Sequence, residues 1–183
     1  MRKSLDRLYA VSGAVAAFSL CMIMLIVFGQ VVLNTIDFIA LHTVGKSMGL
    51  LIPSYAQFSG YALGFTTFLS LGLGFRKAAH IRVTLIETAL NPKARRVSLT
   101  VVAVLGVALA GLISYSLVEL AWQSWQWGDT ASGLVRVPLW VPQSVMALGA
   151  VIFLIAAIDT LVDMVRYKQS TALRAIDPVE EAM

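Results

Sequence analysis

The sequence predicts an all-α membrane protein with four transmembrane helices, and three observations support this fold class. Hydrophobic residues make up 58% of the 183 residues, and charged residues only 13%, whereas a soluble domain carries about 25% charged residues. The charges cluster at the ends of long apolar runs. Four of these runs reach the ~20 residues that a helix needs to cross ~30 Å of hydrocarbon.

These four runs define the predicted spans, which cover residues 9–33, 55–75, 97–122 and 139–165. In lipid, the backbone must satisfy its own hydrogen bonds, so each span should be a helix. The first run continues far past the small residues Ala14, Ala16 and Ala17. It is too long for the apolar region of a cleaved signal peptide, so we expect an uncleaved first helix and a single four-helix domain over residues 1–183.

Lysine and arginine are distributed unevenly between the two sides of the predicted membrane. Twelve of the fourteen lie in the N-terminal tail, the link between spans two and three, and the C-terminal tail, while the other two links contain only Lys46 and Arg136. Cationic loops remain in the cytoplasm, so both termini should be cytoplasmic. The net charge of +4 therefore reflects membrane topology, and we expect no nucleic-acid partner.

The two outer links differ in composition. The first, residues 34–54, is long and fairly apolar, and we expect it to contain a short helix lying at the outer interface. The third, residues 123–138, contains Trp125 and Trp127, with Trp122 and Trp140 on either side. Tryptophans are enriched at membrane–water interfaces, so these four predict an aromatic belt at the outer surface.

The inner link begins with FRKAAHIRVTLIE, residues 75–87, in which Arg76 and Lys77 end the second span. Over residues 80–90, apolar side chains share one side of a helical wheel, and Arg82 falls among them. This pattern predicts a short amphipathic helix in the interface, with Arg82 reaching towards lipid headgroups. We expect His80 to form hydrogen bonds that fix the bend before this helix, which should end at Asn91-Pro92.

No motif predicts catalysis or a cofactor. The chain contains no GxxxxGK, CxxC or HExxH sequence, and its single cysteine, Cys21, lies inside an apolar run. The two histidines, His42 and His80, fall in links on opposite sides of the membrane, so they are not expected to be paired haem ligands. We therefore expect no enzyme activity and no cofactor bound by this chain.

Polar residues within the predicted spans lie near their ends. Gln30, Gln57 and Glu119 lie near the outer surface, and Asp159 lies near the inner end of span four. Polar residues inside a membrane are costly and often functional, so these outer residues are candidate contacts with a partner or the interface. Small residues in helices one and two, including Gly13 with Ala17 and Gly60 with Gly64, predict close helix approach.

Four segments carry a family resemblance: Gln30-Val31-Val32-Leu33; Arg76 with His80, Ile81 and Val83; Asn91-Pro92 with Arg95-Arg96; and Val137-Pro138-Leu139-Trp140 with Pro142. The first is similar to Q-V-x-L, the second to R-x-x-x-H-I-x-V, and the last to the proline and tryptophan that begin a fourth helix. In this order and spacing, the chain resembles the small membrane subunit (DctQ-like) of tripartite ATP-independent periplasmic (TRAP) transporters.

The resemblance implies a non-catalytic scaffold subunit in the inner membrane of a bacterium or archaeon. In such systems, a periplasmic binding protein captures an organic acid, and a large membrane subunit carries the substrate and sodium sites. The small subunit would then contact the large subunit and membrane lipids, with Arg76, Lys77, His80 and Arg82 as candidate contacts. Two alternatives are a stand-alone proton-coupled exporter that uses Glu119 and a membrane anchor for a redox enzyme.

Overall fold

A computed structural model describes residues 2–77 and 92–167 of the chain, and these residues form four α-helices and no named strand. The helices are α1 (Arg2–Val44), α2 (Tyr55–Arg76), α3 (Pro92–Trp127) and α4 (Trp140–Tyr167). Each is long and apolar enough to cross a membrane, which confirms the predicted four-helix fold class. The predicted interfacial helix at residues 80–90 lies outside the described residues.

The four helices pack side by side in the order α1, α2, α4, α3, with only a slight contact between α1 and α4. On α2, Gly64 faces Met146 of α4, and the later residue Gly72 faces the later residue Ile152. These two inner helices therefore run in the same direction. α1 runs antiparallel to α2, because Ser12 bonds to Leu69 while the later residue Ala16 bonds to the earlier Thr66.

The two ends of the bundle differ chemically. One, the basic end, carries Lys3, Arg7, Arg76 and Lys77. The other, the tryptophan end, carries Trp122, Trp125, Trp127 and Trp140, and the rings of Trp122, Trp125 and Trp140 contact one another in that order at tilted angles. Cations and tryptophans are thus segregated to opposite ends of the bundle, as is typical of membrane proteins.

The buried face of α1 follows a seven-residue repeat. The spacing between its least exposed residues alternates between three and four. These residues are Tyr9, Ser12, Ala16, Ser19, Ile23, Ile26 and Gln30. Such a repeat keeps one seam of a helix against its neighbour in a left-handed, coiled-coil-like arrangement. Most members near the basic end are small, so the backbones of α1 and α2 approach closely there.

α1 is longer than predicted, and the expectation of a separate short helix within residues 34–54 is wrong. Residues 34–44 contain no glycine or proline and continue α1 to Val44. The helix ends before Gly45, whose φ of 70° is the left-handed conformation that glycine adopts readily. His42 therefore lies in the last turn of α1 rather than in a link.

The end of α1 extends beyond the rest of the bundle. The Ile52 backbone N–H donates to Gln30 Oε1 at 2.7 Å, so the chain just before α2 lies beside Gln30. Residues 31–44, here called the α1 extension, therefore continue past the start of α2 by ~20 Å, at 1.5 Å per residue. Asp37 holds the returning segment, because its carboxylate accepts hydrogen bonds from Ser47 Oγ (2.7 Å) and the Gly49 N–H (3.0 Å).

α3 also exceeds its predicted span at both ends. It begins at Pro92, where a missing N–H costs nothing because the first helical N–H has no intrahelical partner. It continues to Trp127 and stops at Gly128, which has a left-handed φ of 66°. The following 129–139 loop closes on itself, with Ala131 N–H donating to Val137 O and Leu139 N–H to Asp129 O, both at 2.9 Å.

The contact between α2 and α4 depends on glycine. A Cβ atom on Gly149 would lie 2.7 Å from the carbonyl carbon of Phe68, so the two backbones touch there. Gly64 faces the Met146 sulfur in the same seam, in accord with the predicted close approach. Its GxxxG partner Gly60 has nothing within 4 Å of the corresponding position and takes no part in this contact.

Candidate functional site

An ion pair joins α2 to α4 near the basic end. Arg76 Nη1 lies 3.0 Å from Asp159 Oδ2, and the two side chains are only 13% and 17% exposed. Arg76 is the last residue of α2, and its guanidinium extends to Asp159 on the neighbouring helix α4. Because each buried charge neutralises the other, removal of one partner would leave an uncompensated charge in an apolar setting.

Tyr9 brings α1 into the same region. Its side chain is 1% exposed and packs against Ile152 and Ala156 of α4. The Tyr9 hydroxyl is buried without a hydrogen-bond partner, and it lies within electrostatic range of both Arg76 and Asp159. Three helices thus meet around one buried tyrosine and one ion pair.

At the tryptophan end, neutral hydrogen bonds attach the 129–139 loop to α2. Gln57 Nε2 donates to Tyr61 Oη at 2.9 Å and to the Val135 carbonyl at 3.4 Å. Ser54 Oγ accepts a hydrogen bond from the Val135 N–H at 3.1 Å. A Cβ atom on Gly133 would collide with Gln57 Oε1, so a larger residue at this position would displace the Gln57 amide.

Three side-chain oxygens near the tryptophan end are buried without a hydrogen-bond partner among the described residues. These are Oε1 of Gln57 and Oγ of Ser59 on α2, and Oε1 of Gln143 on α4. Among the described residues, no group of three or more His, Cys, Asp or Glu side chains could hold a metal ion. This end therefore presents amide and hydroxyl groups, which position the loop through hydrogen bonds.

Gln30 has a connecting role. Its side chain is 5% exposed, and Nε2 donates to Asn34 Oδ1 at 2.8 Å while Oε1 accepts from the Ile52 N–H. Both polar ends of the amide are therefore used within the chain. Gln30 joins α1 to the segment that leads into α2, which accounts for its burial.

Glu119 lies on the exposed surface of α3, close to the tryptophan end. Its Oε1 accepts a hydrogen bond from Gln123 Nε2 at 3.1 Å, one helical turn further along. Trp122 and Trp125 follow it on the same helix, and Trp125 contacts Trp140 with ring centroids 5.4 Å apart. Glu119 thus lies beside the tryptophans, and not halfway along the bundle.

The predicted site residues do not form one site. Arg76 lies at the basic end, Gln30 and Gln57 lie towards the tryptophan end, and all three have partners within the chain. Lys77 and Glu119 are exposed. His80 and Arg82 lie outside the described residues, so their predicted contacts stay predictions.

The pairing of Arg76 with Asp159 was not among the predictions, although the sequence contains a signal for it. In a four-span topology, helices two and four cross the membrane in the same direction. Arg76 follows Tyr55 by about the same number of residues as Asp159 follows Trp140, so equal rise per residue places both at one depth. The contact of Gly149 with Phe68 had no comparable signal, because glycine is common in such helices.

The four apolar helices, with cations at one end and tryptophans at the other, define a multi-pass membrane protein. Residues 23–167 match the family model described as "Tripartite ATP-independent periplasmic transporters, DctQ component". This match covers most of the chain, and the chain belongs to the DctQ family. It is the small component of a TRAP transporter, as its resemblance predicted.

The matched region includes the polar contacts at both ends of the bundle. It begins within α1 and continues to the end of α4, so it covers Gln30, Gln57 and the Arg76–Asp159 pair. DctQ components belong to tripartite systems that also contain a large membrane subunit and a periplasmic binding protein. No curated protein and no solved structure matches the chain significantly.

Proposed function

We propose that this chain is the non-catalytic scaffold subunit of a TRAP transporter that imports an organic acid with a sodium gradient. The large membrane subunit and the periplasmic binding protein complete the system, in the inner membrane of a bacterium or archaeon with the basic end in the cytoplasm. One observation carries the proposal. In the described helices, Asp, Glu, Lys and Arg are confined to the end regions, so no fixed charge lies at mid-depth to carry an ion across.

The packing of the inner helices supports a fixed role. Gly149 touches the backbone of Phe68, and Arg76 is paired with Asp159 further along the same contact. A sliding movement of α2 against α4 would break both contacts together, because packed cores are not continuously deformable. The moving part of the transport cycle, and the sodium ions, are therefore assigned to the large subunit, and no cofactor is assigned to this chain.

The α1 extension supports membership in a larger assembly. Phe38, Ile39 and Leu41 are 61%, 54% and 48% exposed, and Met48 on the returning segment is 65% exposed. These side chains lie beyond the start of α2, where the other helices give no cover. Exposed apolar side chains concentrated in one segment are typical of an interaction site, and in this proposal a partner subunit covers them.

The test is sodium-driven uptake with and without this chain. The large subunit should be reconstituted in vesicles with the purified binding protein, and uptake of the organic acid that this binding protein carries should be measured. We expect a sodium gradient to drive uptake only when the small subunit is present. Uptake at the same rate without it would overturn the scaffold assignment.

The stand-alone exporter remains the competing proposal, and it depends on Glu119. The exposed position of Glu119 beside the tryptophans and its bond to Gln123 give it no route through the bundle. Vesicles containing this chain alone should therefore show no proton-coupled transport, and Glu119→Gln should leave sodium-driven uptake by the full system unchanged. Transport by the chain alone that Glu119→Gln abolishes would favour the exporter instead.

A further inference from the structure

A groove runs between α1 and α2 in the half of the bundle next to the basic end. It has a volume of about 340 Å³, and its walls include Gly13, Ala17 and Leu20 of α1 and Thr66, Ser70 and Lys77 of α2. The groove forms because most of these side chains are small. It lies on the surface of the bundle, open to the surrounding membrane.

The walls of the groove present no free hydroxyl to an occupant. Thr66 Oγ1 donates to the Ala62 carbonyl at 2.9 Å, and Ser70 Oγ donates to the Thr67 carbonyl at 3.0 Å. Both hydroxyls thus donate to backbone carbonyls of the protein, and Thr66 Oγ1 also bonds to the Ala16 carbonyl of α1 at 3.3 Å. The remaining lining is aliphatic or glycine until Lys77, so the groove matches a hydrocarbon chain and offers no polar recognition along its length.

The length of the groove matches one leaflet. From Thr66 to Lys77 along α2 is ~16 Å at 1.5 Å per residue, and half of the hydrocarbon thickness is ~15 Å. A membrane-spanning helix from a partner would extend through both leaflets, past the end of the groove. A phospholipid acyl chain requires only one.

The charge at the end of the groove matches a lipid headgroup. Lys77 is exposed where α2 ends and the apolar lining of the groove stops, and Lys3 and Arg7 are exposed at the same end of α1. Exposed cations beside an apolar surface attract anionic lipids. We propose that the groove binds one anionic phospholipid, with an acyl chain against Ala17 and Ser70 and its phosphate at the Lys77 ammonium group.

The decisive experiment counts lipids retained by the protein. The full complex should be placed in nanodiscs that contain equal amounts of phosphatidylglycerol and phosphatidylcholine, released in the gas phase and weighed by native mass spectrometry. We expect one phosphatidylglycerol retained per small subunit. Ala17→Phe should fill the groove and remove this lipid, whereas Val15→Phe, on the exposed surface of α1 outside the groove, should retain it.

The charge is tested separately. Lys77→Gln should retain a lipid but lose about five-fold in preference for phosphatidylglycerol over phosphatidylcholine, as expected for one cation near an anionic headgroup. Lys46→Gln, an exposed cation on the returning segment beyond the tryptophan end, should keep the wild-type preference. An unchanged preference in Lys77→Gln would overturn the headgroup assignment.

Two further results would overturn the lipid proposal. One is full lipid retention in Ala17→Phe. The other is a photo-cross-linker at residue 17 that attaches to the large subunit in membranes, since a partner helix would then fill the groove. If Ala17→Phe fails to fold, Ser70→Leu narrows the same groove from α2, and its lipid retention decides the result.

Discussion

The α2–α4 contact and the α1 extension show two different ways in which this chain uses its helices. In the first, glycine allows backbones to touch, and the ion pair of Arg76 and Asp159 joins the helix surfaces. In the second, one helix continues alone, and only a short returning segment packs against it. Large apolar side chains such as Phe38 remain exposed there.

This difference separates what the chain stabilises by itself from what it presents to others. The inner helices bury their contacts within the chain, so substitutions there should destabilise the subunit. The extension contributes little to the internal packing, so substitutions there should alter local structure or assembly. Four substitutions test this division, from the largest expected effect on stability to the smallest.

The first is Gly149→Leu, which places a side chain where the Phe68 backbone now lies. Overpacking of a close contact costs about 3 kcal/mol when the backbone must shift, so we expect a large fall in the melting temperature in detergent. Gly60→Leu is the matched control, because nothing lies within 4 Å of the added atom. Equal melting temperatures for the two variants would refute the backbone contact.

The second is Asp159→Ala, which leaves the Arg76 charge without its partner. We expect a loss of about 2 kcal/mol, below the usual range for a buried pair because arginine near a helix end can reach the interface. The double variant Arg76→Met/Asp159→Leu should recover much of this loss. A double variant less stable than Asp159→Ala would show that the pair is not the main role of these residues.

The third is Gln57→Ala, which removes the side-chain bonds to Tyr61 and Val135. The expected loss is about 1 kcal/mol, with faster proteolysis of the 129–139 loop. Gln123→Ala, which removes only the exposed bond to Glu119, should leave the loop as resistant as in the wild type. Similar cleavage rates in the Gln57 variant and the wild type would contradict the proposed attachment.

The fourth is Asp37→Ala, on the α1 extension. Its carboxylate is exposed and bonds only to the returning segment, so we expect no measurable change in melting temperature. Hydrogen exchange at the Met48 and Gly49 amides should accelerate, because both donate to this carboxylate. A fall in melting temperature as large as that of Asp159→Ala would show that the extension is part of the stable core.

The sequence by itself determined the number of helices and the family. Hydrocarbon thickness requires apolar runs of a minimum length, and the four runs, their flanking charges and motifs such as Gln30-Val31-Val32-Leu33 are all local features. The ends of the helices were less predictable. Polar residues such as Asn34 and Asp37 favoured a link, but they do not stop a helix whose backbone has no glycine or proline to interrupt it.

The tertiary structure alone decided which surfaces meet. The Gly149–Phe68 contact and the groove beside Ala17 depend on how far each helix is displaced along its neighbour, and many residues along these helices are small enough to allow several displacements. The Arg76–Asp159 pair fixes one of them, because two buried charges must lie at the same depth to neutralise each other. Composition defined four helices suited to a membrane, and this packing defined the surfaces that they leave for partners and lipid.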